Sequence, residues 1–280
     1  MRKYLWAYAP SLGELWLIML ALVCLGGSMV TTIASIILTS FTQIPPGAIP
    51  LVLYPLLFAV AIPFIWIRAK NSYEEKICKG EVVAEGGSRS FGSLSVPVFF
   101  VLLLVLTPAF AILAEPLTMW MKMPDFIKKL FEELTNHGWL SVLALVVWAP
   151  LLEEWLCRKV AINGLLKRGY SPRAAIVWSA CMFAVIHMNP WQAVPAFLMG
   201  LLFGWIYWKT RSLWAVIFMH AVNNGLSVAL ALSFPHLPED ASTYDVVGAP
   251  YYYWILAAAA LIVGSIVWVL YKKLPCRNPS

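Results

Sequence analysis

Glu153, Glu154 and Arg158 stand in the run Leu151-Leu152-Glu153-Glu154-Trp155-Leu156-Cys157-Arg158, inside one of the most apolar stretches of the 280-residue chain. Charges at membrane depth are expensive, so two adjacent carboxylates there need a partner and point to a task. On a helix Glu154 and Arg158 are i,i+4 and face each other, whereas Glu153 is turned roughly 100° away and has no local cation. The pattern makes Glu154 and Arg158 a supporting ion bridge and leaves Glu153 free to take a proton. Further on, His187 closes Phe183-Ala184-Val185-Ile186-His187, and His220 precedes Asn224 by one turn, with Asn223 rotated toward a neighbouring helix. These side chains suit two chemistries. In one, Glu153 and His187 activate a water against a peptide carbonyl while His220 and Asn224 donate to the developing oxyanion. In the other, the imidazoles and a carboxylate hold zinc, which lowers the pKa of a bound water. HExxH is absent, which favours the first form, with no cofactor; zinc is the alternative.

The elements that must position these groups follow from composition. A hydrophobic content of 61%, a charged content of 12% and a mean hydropathy of +0.77 describe an all-α, polytopic membrane helix bundle. Barrel strands would alternate apolar and polar residues; the continuous apolar runs exclude them. Eight spans are expected, at about 15–40, 48–67, 95–116, 139–166, 173–189, 191–208, 212–232 and 250–271. The first resembles a signal peptide, but its length predicts an uncleaved span. The net charge of +6 is no sign of nucleic acid, because the basic residues fall between spans. Arg2, Lys3, Arg68, Lys70, Lys76, Lys79, Arg89, Lys167, Arg168, Arg173, Lys209, Arg211, Lys272, Lys273 and Arg277 collect on one side, and only Lys122, Lys128 and Lys129 on the other. The positive-inside rule then places both termini in the cytoplasm of a cell-membrane protein. Five cysteines without a CxxC suggest neither disulfides nor a thiolate metal site.

Depth tests whether the polar groups can meet. Glu153 lies 14 residues before Lys167 and His187 15 residues beyond Pro172, so both stand about 21–22 Å from the same basic turn. Counted from Arg211, His220 stands roughly 14 Å in and Asn224 roughly 20 Å. Four polar side chains on three helices therefore approach one depth within the bilayer. Residues 1–92 read as a two-span region with a mobile cytoplasmic loop (Asn71 to Ser93, with Gly86-Gly87-Ser88), and residues 93–280 as the core. Pro150 should bend the fourth span, and Gly200 and Gly204 should let a neighbouring helix approach. Pro124 to Asn136 alternates apolar and charged faces and reads as an amphipathic connector along the outer interface.

The three motifs, Glu153-Glu154-Trp-Leu-Cys-Arg158, Phe183-Ala-Val-Ile-His187 and His220-Ala-Val-Asn-Asn224, resemble the EExxxR, FxxxH and HxxxN/D of the CPBP intramembrane proteases, which comprise the second type of CAAX prenyl endopeptidase and bacteriocin-processing or immunity proteins. The resemblance covers about Trp139 to Leu232. It implies an intramembrane endopeptidase with its site in a cavity within the bilayer, Glu153 as base with His187, and His220 and Asn224 around the oxyanion. Glu154 and Arg158 would support them, and zinc stays open. It implies a peptide or protein substrate, lipidated in the eukaryotic members, besides the lipid bilayer. Two other readings compete: a non-catalytic immunity or peptide-binding protein of the same fold, and a proton-coupled transporter, which the absence of an inverted repeat disfavours.

Overall fold

The structure, a computed structural model, describes residues 2–83, 89–234, 236–238 and 240–276, and these form helices and connecting turns with no strand among them. Gly86, Gly87 and Ser88, on which the mobile-loop expectation rests, lie outside the described residues, as does Arg277. We number the helices α1 (Arg2–Ala7), α2 (Leu12–Phe41), α3 (Pro46–Cys78), α4 (Val96–Leu117), α5 (Asp125–Thr135), α6 (Trp139–Lys167), α7 (Pro172–Val185), α8 (Pro190–Thr210), α9 (Leu213–Ser233), α10 (Thr243–Val247) and α11 (Ala249–Lys273). Long apolar runs adopt helices because no water is present at depth to satisfy a bare backbone group. Polar residues mark the starts: Ser11, Ser171, Asn189 and Ser212 each cap a first turn by accepting a backbone N–H.

Among the described residues six helices (α2, α3, α4, α6, α9 and α11) are long and apolar enough to cross a membrane, and the protein is a multi-pass membrane protein. The expected fifth and sixth spans exist as helices, yet α7 has 14 residues, which at 1.5 Å each covers about 21 Å of a ~30 Å layer. Because α7 and α8 leave and return as a hairpin, the sidedness of the other helices does not depend on them. The apolar surface agrees with a lipid setting, since Leu25, Met29, Ile36, Val101 and Leu261 are all exposed. The α3 helix outruns its expected end at residue 67 and continues to Cys78, so the first third of the expected loop is helical. Its last turns are supported by ion pairs at i,i+4 spacing, Lys70 with Glu74 and Lys79 with Glu75.

The sides deduced from charge are brought together in space. At one end Lys167 Nζ donates to the carbonyls of Leu5 (2.7 Å) and Tyr8 (3.0 Å), and Arg168 Nε to that of Ala9 (2.7 Å). At the same end Arg68 Nε donates to Glu14 (2.8 Å), Ser90 N–H to the Thr210 carbonyl and Ser93 N–H to that of Lys273. At the opposite end Trp191 Nε1 donates to the Lys122 carbonyl (2.8 Å), Met123 N–H to Asp240 (3.2 Å), and Thr243 N–H to Glu115. The core between them is aliphatic and aromatic, with Leu15, Ile18, Phe58, Ile65, Phe99, Leu103, Leu156 and Phe203 all buried. Along α8, a Cβ on Gly200 would meet Ala180 at 3.1 Å and one on Gly204 would meet Ile176 at 3.0 Å, so the small-residue stripe seats α8 against α7.

Candidate active site

The α6 helix presents the carboxylates from a short α-helical turn, Ala149–Glu154, flanked on both sides by wider π-helical winding over Val142–Trp148 and Trp155–Ile162. Such winding recurs at functional sites because it displaces a backbone group from its usual partner. Here the displacement can be followed atom by atom. Ala149 N–H bonds the Ala144 carbonyl five residues back, so the next donor in that register would come from position 150 and reach Leu145. Position 150 is proline and has no N–H. The Leu145 carbonyl instead accepts a hydrogen bond of 2.9 Å from Asn224 Nδ2, across the gap to α9.

Glu154 and Arg158 meet as their spacing predicts, with Oε2 and Nε 2.9 Å apart and neither side chain exposed. The guanidinium also donates to Ser179 Oγ at 3.3 Å, which donates to the Cys157 carbonyl at 2.7 Å, and its carbon sits 4.6 Å from the centre of the Phe183 ring. The bridge thus has partners on both sides in the interior, while Arg158 Nη2 is buried without a hydrogen-bond partner among the described residues. The other oxygen of Glu154 adds a contact that spacing alone did not indicate: His220 Nδ1 lies 3.0 Å from Oε1. A carboxylate only accepts, so Nδ1 carries the proton and His220 is left with Nε2, an acceptor in the neutral ring and a donor in the imidazolium.

His187 follows the end of α7, where the chain turns sharply into α8 through Met188 at φ 53°. Its Nδ1 is 2.8 Å from the Phe183 carbonyl, again an acceptor only, which puts the proton on Nδ1 and a lone pair on Nε2. Phe183 stands between the two imidazoles, its ring centre 5.3 Å from each.

Glu153 is buried, and its two oxygens differ. Tyr54 OH, from α3, donates to Oε1, while Oε2 has no partner among the described residues. The expected depth ladder contained the signal for Tyr54, since it lies 14 residues before Arg68 just as Glu153 lies 14 before Lys167. Asn223 departs from expectation: instead of turning toward another helix it lines the same cavity, and its Nδ2 donates to Asn224 Oδ1 at 3.2 Å. Two residues that the heptad-like geometry of a straight helix rotates apart are joined because both flank one open space.

That space has a volume of about 700 Å³, and its wall includes Glu153, His187, His220, Asn223, Asn224 and Tyr54. Glu154 and Arg158 lie behind it. The remainder of the wall is mostly apolar and runs toward the end of the molecule that holds Met123 and Gln192. The connector α5 also contributes: Ile127, Leu130, Phe131 and Leu134 line the cavity. The amphipathic pattern foresaw an apolar face, and the surface it covers is the cavity. Among the described residues no three His, Cys, Asp or Glu side chains are grouped so as to hold a metal ion, and the five cysteines are free.

Residues 135–226 match the family model of the Type II CAAX prenyl endopeptidase Rce1-like proteins, and this stretch contains all three motifs. No curated protein and no solved structure gives a significant match. The family match and the three complete motifs fall on the same helices around one cavity, so residues 135–226 of the chain are those of a Type II CAAX prenyl endopeptidase Rce1-like segment, in agreement with the CPBP resemblance of the motifs.

Proposed function

We propose that the protein is a glutamate-dependent intramembrane endopeptidase in which Glu153 and His187 activate a water for attack on a peptide carbonyl. The match of residues 135–226 to a protease family supports peptidase activity in general. The observation that carries the mechanism is the unequal treatment of the two acids. Glu154 is consumed by Arg158 and His220, whereas Glu153 reaches the cavity with a buried oxygen that has no protein partner. A carboxylate so placed can take the proton of a water as its oxygen bonds to the carbonyl carbon; collapse then breaks the C–N bond, and the proton passes to the departing amine. His187 Nε2, with its lone pair, orients that water. The oxyanion is met by His220, whose Nε2 donates when the ring carries both protons, and by the one N–H of Asn224 left after its bond to Leu145. The reading is metal-free. Its substrate is a peptide or protein with an apolar, lipid-bearing end, as the family description suggests and as an apolar cavity of this size can accept. The basic end of the bundle faces the cytoplasm of the cell membrane, with both termini.

The test is cleavage by the purified protein of a farnesylated peptide ending in a Cys-aliphatic-aliphatic-X box and of its unprenylated counterpart, with and without a strong chelator. We expect cleavage to persist under chelation and to fall by about 100-fold or more in Glu153→Gln, the scale of losing a general base. Full activity of Glu153→Gln would remove it from the mechanism, and loss under chelation restored by zinc would replace the metal-free reading.

A further inference from the structure

Arg158, the cation on the next turn, is engaged by Glu154, so no ion pair with it fixes the direction of the Glu153 carboxylate. Something must hold Glu153 on the cavity side. The donor the structure supplies is Tyr54 OH on Oε1, from a part of the chain that lies well before the family match at 135–226. We infer that Tyr54 is the positioning residue of the base, pinning Glu153 by one oxygen so that the other meets the water. The inference rests on Glu153 being the base, as proposed above.

The local structure shows how the phenol is held. Span α3 does not run as one regular helix: at Tyr54–Phe58 it tightens to a 3₁₀ turn, with Pro55 as its second residue. The tightening re-aims the side chain at the turn's first position, and Phe58 at its end is wholly buried. The turn is clamped from α2, because a Cβ on Gly27 would fall 2.0 Å from the Leu57 carbonyl oxygen. Only glycine permits that approach, so the backbone carrying Tyr54 is fixed against a neighbouring helix rather than free to drift. The Tyr54 ring lines the cavity beside Phe58, their centres 6.5 Å apart, and its hydroxyl bridges α3 to α6. The division of labour is then explicit: Oε1 is occupied, and Oε2 is left for proton transfer.

Tyr54→Phe keeps the ring and removes the hydroxyl, so it tests the bond rather than the packing. With whichever peptide the wild type cleaves, we expect kcat to fall by roughly 10- to 100-fold, the scale of misplacing a catalytic group. We expect KM within about twofold of wild type, because the substrate's own contacts are untouched. Infrared spectroscopy provides a readout independent of activity: the carboxylate band that disappears in Glu153→Gln should be shifted in Tyr54→Phe. The double variant should be no slower than Glu153→Gln alone, since a positioning residue has nothing to add once the base is gone. A Tyr54→Phe protein with wild-type kcat, beside an inactive Glu153→Gln, would overturn the role of Tyr54 and leave the base intact; so would an unshifted carboxylate band. An active Glu153→Gln would overturn the reading of the base itself.

Discussion

Of the residues around the cavity, Asn224 best shows how a side chain proposed to meet substrate also serves the backbone. Proline at 150 leaves the Leu145 carbonyl without its helical donor, and the amide supplies one. Removing the amide therefore uncovers a buried acceptor, at a cost of about 1–3 kcal/mol. We expect Asn224→Ala to lower the melting temperature in detergent, and the added change Pro150→Ala to recover most of that loss by restoring a backbone N–H. Activity should not return with the stability, because the oxyanion donor is still missing. If the second change leaves the melting temperature where the first put it, the coupling between these positions is absent. The chemical groups themselves were legible in the sequence because charge at membrane depth is rare. Glu153, Glu154, Arg158, His187, His220 and Asn224 all announce themselves against apolar surroundings. Tyr54 did not, because a tyrosine is at home in an apolar helix and its partner is 99 residues away.

Among the elements, α5 was the hardest to place from its pattern. An amphipathic helix declares that one face seeks an apolar surface, and lipid and cavity are equally apolar. The face meets both: Ile127, Phe131 and Leu134 line the cavity while Phe126 is exposed, and Lys128 Nζ, 2.9 Å from Asp240, with Met123 N–H donating to the same carboxylate, tethers α5 to the connection between α9 and α10. Burial raises the Asp240 pKa, but the ammonium and the amide outweigh it and hold the carboxyl below its ordinary 3.8. A depressed value means that the tether contributes fully above pH 3.8 and is lost as pH falls through the lower folded value. At pH 7, Asp240→Asn should speed amide hydrogen exchange in residues 125–135 by up to about fivefold, the reach of a partly exposed ion pair. The same substitution should leave exchange in α8 unchanged. Uniform exchange across variants would show that α5 is held by its apolar face alone. The end of α7 was also hidden, since apolar residues continue through Ile186 while the helix stops at Val185. Hydropathy does not register the turn at Met188. In α6 the one residue type that marks the winding is Pro150, at the junction of the first wide stretch with the turn that carries Glu153.

In the molecule as a whole, the alternation of basic loops and the mutual contacts of those loops describe the same two ends. A reading of charge alone thus describes the arrangement of the long helices, and among the described residues six of the eight expected spans are helices long and apolar enough to cross. The boundary expected at residue 92 does not partition the cavity, whose wall combines Val23, Cys24, Leu57 and Phe58 with the motif helices. The wall also runs toward the end remote from the basic loops, where Met188 is 61% exposed. We expect a cysteine at Met188 to react in intact cells with a maleimide that cannot cross membranes, and the native Cys78, at the basic end, to stay unlabelled until the cells are opened. Labelling of Cys78 alone would reverse the orientation. Were the cavity to open on that face, with the basic end in the cytoplasm as proposed, a polypeptide made inside would have to be threaded or flipped across first, and the proposed trimming would follow export.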